Sequence, residues 1–324
     1  MIANLIAVVA GLAAAMFYIV GLSFSAWGLF LVFVSPLPVF MAGLGGGATA
    51  GGIAGAVAVV AALIYSGSDP LLGSVFSVFF VLPAFFLARL AVMSRRTSDG
   101  AEVWFPLDGL VQTLIVIGLV DVALTAIVLS LGEPGLAGTV RLNLERIVGA
   151  VYAEAPRDEY MAIVDQWDSL VFGTLVAAVM TCLAICGALA QGLLVSLGRN
   201  LRPTPGFWRL RLPGWPAVGL VVCVAVGMGV EDLFGTSETV IFVSYVATGF
   251  ALVFVVGYLL QGLAVMHGMT RGQSFQFLIL TGVYLVAITF QPFGALTFAA
   301  VGLADQWGNF RERFGPGLGP EMED

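Results

Sequence analysis

Asp121 lies inside an apolar run, residues 106–131, whose only other acid is Asp108 near one end. A carboxylate in the hydrocarbon of a bilayer is expensive to hold, so an ionisable residue within a span is a functional group by default. Asp121 is therefore the first candidate for a buried polar site. Thirteen residues separate it from Asp108, a rotation of about 220°, so the two carboxylates leave the helix on different faces. Asp108 shares its face with Gln112 and is expected to pair with an arginine or to cap the helix behind Pro106. Gln191 and Gln261 are further amides in apolar runs, and such amides also serve simply to link helices.

A second candidate is backbone rather than side chain. Ser35-Pro36-Leu37-Pro38 interrupts an apolar stretch, because each proline removes a donor and crowds the preceding turn. The freed carbonyls need partners in protein or water, and broken helices of this kind line cavities in transporters. A simple kink is the competing reading for Ser35, Pro36 and Pro38. The glycines from Gly43 to Gly47 permit further irregular backbone just beyond.

Enzyme chemistry finds no residues to work with. His267 is the only histidine, which excludes a zinc-protease helix and a histidine-based triad. All 13 basic residues are arginine, so a phosphate loop ending in lysine is excluded as well. Cys182, Cys186 and Cys223 sit in apolar runs, where thiols behave as small hydrophobes, and no acid or histidine lies nearby in sequence to complete a metal set. We expect no enzymatic activity, no cofactor and no metal. A formal charge of −7 argues against nucleic acid as a partner.

The elements that carry these residues are membrane helices. The first 68 residues hold no charge at all, and only 10% of the chain is charged, against roughly 25% in soluble proteins. Apolar runs of spanning length place helices at about 2–21, 26–44, 47–66, 71–93, 106–131, 169–196, 214–234 and 239–266. The stretch 273–304 is too long for one comfortable pass, and Pro292 with Gly294 can fold it into a hairpin. Ten arginines, from Arg89 to Arg313, fall on one side if the amino terminus is cytoplasmic and that stretch passes twice, as the positive-inside rule favours. The expected fold is thus all-α, a polytopic bundle of nine or ten spans. It forms a single membrane domain with a short cytoplasmic tail at 309–324.

Residues 133–168 form the one sizeable segment on the opposite side, with seven acids and three arginines. Leu144, Ile147, Val148 and Val151, and again Tyr160, Ile163, Val164 and Trp167, follow a helical repeat on either side of Pro156. Two short amphipathic helices are expected, lying on the membrane or covering an outward-facing cavity. Small residues recur every fourth position at Ala3, Ala7, Gly11 and Ala15 and at Gly47, Gly51 and Gly55. Such stripes let backbones approach closely in lipid, within the chain or against a partner subunit.

Several of these pieces together resemble the YybS-like family of bacterial membrane proteins, a domain family without an assigned activity. The residues that carry the resemblance are Ser35-Pro36-Leu37-Pro38, Leu212-Pro213-Gly214-Trp215, Gln261-Gly262-Leu263-Ala264-Val265, and Gly302-Leu303-Ala304-Asp305-Gln306-Trp307 through Arg311. The first half is similar to the substrate-binding subunits of energy-coupling-factor transporters, in which a small-residue stripe on the first helix docks the coupling subunit. The resemblance implies that role for Ala3, Ala7, Gly11 and Ala15. Those subunits have about six spans, so this chain departs from them in its extra helices and its acidic segment. The expectation is a non-enzymatic, transporter-like subunit that binds a small molecule at Asp121 and relies on a partner for energy. The alternative is a scaffold or envelope-assembly factor that docks other proteins.

Overall fold

The computed structural model describes residues 2–23, 25–67, 70–152 and 156–314. It is an all-α polytopic architecture. Seven helical stretches among the described residues are long and apolar enough to cross a bilayer: 3–21, 27–66, 70–91, 107–130, 157–196, 215–234 and 238–270. The chain divides into two compact units, residues 1–117 with 178–205 and residues 118–177 with 206–324.

In the first unit, α1 (Ile2–Gly21) is followed by α2 (Ala26–Val34) and α3 (Leu37–Ser66). Ser25 accepts a hydrogen bond from Gly28 N and starts α2. The helix breaks at Ser35–Pro36, and Pro38 falls in the first turn of α3, where its missing N–H has no cost. α3 is not one rod. Gly47 takes φ 81° and ψ −178°, a region open in practice to glycine alone. A Cβ built on Gly43 would lie 3.7 Å from Gly51 Cα, whereas eight residues along a continuous helix span about 12 Å. The chain therefore reverses at Gly47 into two arms, 37–46 and 48–66, which matches the separate spans expected at 26–44 and 47–66. Nothing but Leu201 Cδ1, at 3.8 Å, lies near an added Cβ at Gly47, so the backbone angle alone sets the cost of a side chain there. Gly47→Ala is expected to lower stability by about 1–3 kcal/mol, read as a drop in the thermal unfolding midpoint in mild detergent.

The next span runs through α4 (Pro70–Phe76), a π-helical turn at Ser77–Val81 and α5 (Leu82–Ala91). Pro83 cannot donate within this helix, and the widened turn just before it absorbs the fault. Two strands then form a short antiparallel hairpin, β1 (Ser94–Arg96) and β2 (Glu102–Trp104), pairing Ser94 with Trp104 and Arg96 with Glu102. Tyr18 of α1 stacks on Phe76 at 4.4 Å and donates to Leu72 O at 3.1 Å.

α6 (Leu107–Ser130) and α8 (Arg157–Ser196) each contribute to both units, and α7 (Gly135–Val151) lies between them in sequence. The second amphipathic segment is not a separate short helix, as the repeat suggested. It continues without a break into the apolar run, giving α8 40 residues, because no glycine or proline stands between Arg157 and Phe172. Within the second unit Leu144 and Val148 of α7 pack on Val164 of α8, while Ile147 and Val151 are exposed. The α7 stripe thus follows i, i+4 steps from Leu136 through Val140 to Val148. Arg141 bridges Glu145, Asp165 and Asp168 beside it.

The rest of the second unit is α9 (Trp215–Phe234), α10 (Glu238–Thr270), α11 (Gln276–Thr289), α12 (Phe293–Gly308) and α13 (Phe310–Phe314). α11 and α12 are 14 and 16 residues long and fold against each other at Pro292. A Cβ on Gly294 would lie 2.6 Å from Val286 O. Each arm falls short of the ~20 residues of a full span, so the 273–304 stretch is a pair of short arms. α10 is the hub: Gly249 receives Gly173 of α8 and Val122 of α6, and Gly262 receives α12. Of the expected tail at 309–324, α13 is tied back to this unit through Arg311, and residues 315–324 lie outside the described part.

Candidate functional site

Asp121 lies about 21 Å along α6 from its first residue, well inside the span. Its residue is 4% exposed, and Oδ2 has no hydrogen-bond partner. Among the described residues it enters no ion pair. The neighbouring backbone explains the position: Thr125 Oγ1 donates to Asp121 O at 2.7 Å, and Val122 is pressed on Gly249 of α10, which buries this part of α6. An ionised carboxylate is an acceptor only, so the unmet need at Oδ2 is for a proton, a cation or an N–H or O–H donor. A buried, unpaired charge costs several kcal/mol, which such a guest removes.

The other residues singled out in the sequence have partners within the chain. Ser35 Oγ donates to Val32 O at 2.6 Å. Phe33 O, released by the break at Pro36, accepts from the thiols of Cys182 and Cys186, so protein rather than water satisfies it. Pro36 is the N-cap of α3 and Pro38 lies in its first turn. Gln112 donates to Asp108 O at 3.3 Å within α6. Gln191 donates to Arg202 O at 3.0 Å. Gln261, 1% exposed, accepts from Leu212 N and donates to Gly302 O, both at 2.8 Å. Gln191 and Gln261 therefore act as cross-links between segments. Ser35, Pro36, Pro38, Gln112 and Gln191 fall in the first unit, and Asp121 and Gln261 in the second.

The small-residue stripe of α1 is used inside the chain. Ala7, Gly11 and Ala15 are buried and only Ala3 is exposed. A Cβ on Gly11 would strike Ala54 O and come within 2.8 Å of Val57 Cβ on α3. The face expected to dock a partner is thus occupied by the chain's own helix. In the third-span stripe, Gly47 makes the reversal and Gly51 meets Gly43 across it.

Two polar assemblies carry no signal in local sequence pattern. Arg202, 6% exposed, donates through Nη1 to Ala91 O at 2.8 Å and Phe105 O at 3.2 Å, tying the end of α5 to the start of α6. Burial pulls its guanidinium below the ordinary arginine range. Asp305 and Arg311 form a buried ion pair, Nη2 to Oδ2 at 2.6 Å. Arg311 Nη1 also donates to Trp208 O and Leu210 O, and Asp305 Oδ1 accepts from Phe310 N. Arg271 stacks over Trp208 at 4.1 Å.

The first unit also holds an open cavity of about 480 Å³, lined by Gly47, Ala48, Arg89, Val92, Met93, Glu102, Trp104 and Leu201. Its hairpin wall is foreshadowed in sequence by the turn residues Asp99-Gly100 between Ser94-Arg95-Arg96 and Glu102-Val103-Trp104. No protein-family model, no curated protein and no solved structure matches the chain.

Proposed function

We propose that the protein is a non-enzymatic, transporter-like subunit of a bacterial inner membrane that binds a small molecule and takes its energy from a partner. The observation that carries this reading is the unpartnered Oδ2 of Asp121, buried inside α6. A carboxylate in that position selects for a guest with positive charge or strong donors, so the favoured ligand class is a small amine or a cation. Because the α1 stripe is already packed on α3, a coupling partner would engage another face of the protein.

Native mass spectrometry of the mildly solubilised protein tests the assignment. Wild type is expected to retain a small cationic ligand, and Asp121→Asn to lose about tenfold or more of that occupancy, the scale of a charge-assisted hydrogen bond. The same variant should unfold at an equal or higher temperature, because it removes an unpaired buried charge. Ligand retention unchanged in Asp121→Asn would remove Asp121 from the site and the proposal with it.

A further inference from the structure

We infer that the cavity at the end of α5 is a headgroup site for an amine-bearing phospholipid, with Arg89 holding the phosphodiester and Glu102 the ammonium. The argument begins with its place. Arg89 is in the last turn of α5, and the cavity is closed by the Gly47 reversal and the β1–β2 hairpin, so it opens where apolar helices give way to polar chain. Tryptophan and arginine are the side chains that settle at that boundary, and Trp104 and Arg89 both line the space.

Charge selects the headgroup. The lining holds one base and one acid, Arg89 and Glu102, which form no ion pair with each other among the described residues. Glu102 is fixed from the side by Ser94 Oγ, which donates to Oε1 at 2.6 Å. Arg96 stands opposite Glu102 on the ladder but outside the lining. A separated base and acid beside an indole match a phosphate and an ammonium carried on one short headgroup, the indole face adding attraction for the cation.

The source of that headgroup follows from α5. Leu82, Phe86 and Arg89 follow 4-3 spacing and share one face of α5, and the two apolar members are both exposed. The apolar track runs from the cavity rim along the span, where acyl chains of a lipid lie. A free phosphate or a soluble phosphoamine would leave it unused.

Delipidated protein offered phosphatidylethanolamine and phosphatidylglycerol of identical chains, with native mass spectra recorded for each, decides the matter. Wild type should retain phosphatidylethanolamine about fivefold better than phosphatidylglycerol. Arg89→Gln should lose about fivefold for both, and Glu102→Gln should bind both equally; these are the ranges of single partly exposed ionic contacts. Arg89 and Glu102 are both exposed, so the variants should fold, which an unchanged unfolding midpoint verifies. Equal retention of the two lipids by wild type, or undiminished binding by Arg89→Gln, would overturn the assignment. Soluble glycerophosphoethanolamine binding as tightly as the lipid would overturn its lipid part.

Discussion

Asp305→Ala is expected to destabilise the protein by about 3–5 kcal/mol, the cost of stranding a buried charge. Asp305 is 1% exposed and Arg311 8% exposed at their side chains, so neither water nor salt can take over when one is removed. The arginine also reaches Trp208 O and Leu210 O, which binds α13 and the connection before α9 into one assembly. Arg311 cannot escape without breaking those bonds. The double variant Asp305→Ala with Arg311→Met should be more stable than Asp305→Ala alone, since the stranded charge is then gone. Thermal unfolding of the two single variants and the double in detergent measures the coupling, and strictly additive losses would show that the pair contributes nothing as a pair.

Gly262→Ala should cost at least about 3 kcal/mol, the severe end of overpacking. A methyl group there falls on the carbonyl oxygen of Phe298, and one on Gly302 falls on that of Tyr258. Both obstacles are backbone, so no side chain can rotate aside. The only relief is to push α12 off α10, which would also break the Gln261 hydrogen bond to Gly302 O. Gly282, by contrast, has nothing within 4 Å of an added Cβ, and Gly282→Ala provides a control that should unfold like wild type. A Gly262→Ala midpoint equal to that control would mean that the helices are not held this close in the membrane.

These two crossings mark the limit of what the chain discloses without its fold. Hydropathy places the long spans, because a bilayer accepts nothing else from charge-free runs such as residues 2–66, and the breaks at Pro36 and Pro292 follow from a residue that cannot continue a helix, whereas Gly47 stands among glycines that do continue it and differs only in adopting φ 81°. Asp121 is equally legible, since a lone acid in an apolar run has no innocuous place to go. The Gly262–Gly302 contact is not, because it joins positions 40 residues apart whose local patterns are ordinary. Nor is the Asp305–Arg311 pair, whose spacing of six does not align on a helix face and meets only because Asn309 turns the chain at φ 46°. The continuation of α8 through Asp168 was obscured for the opposite reason: a change of composition from polar to apolar looks like a boundary, yet a helix stops only where its backbone is interrupted. Gln191 and Gln261 show the ambiguity of amides, which serve segment cross-links as readily as ligands.

The reversal at Gly47 bears on how the protein is built. It turns two arms back on each other with one residue and no polar loop, so nothing in residues 37–66 has to remain in water while its neighbour enters the membrane. The pair can leave the translocation machinery sideways as one hairpin, a single partitioning event in place of two sequential crossings. No arginine precedes Arg89 in this chain, so these arms carry no orienting charge of their own. A charge that orients them has to come from another part of the chain, and Arg89, Arg95 and Arg96 at the end of the next span are the nearest that follow.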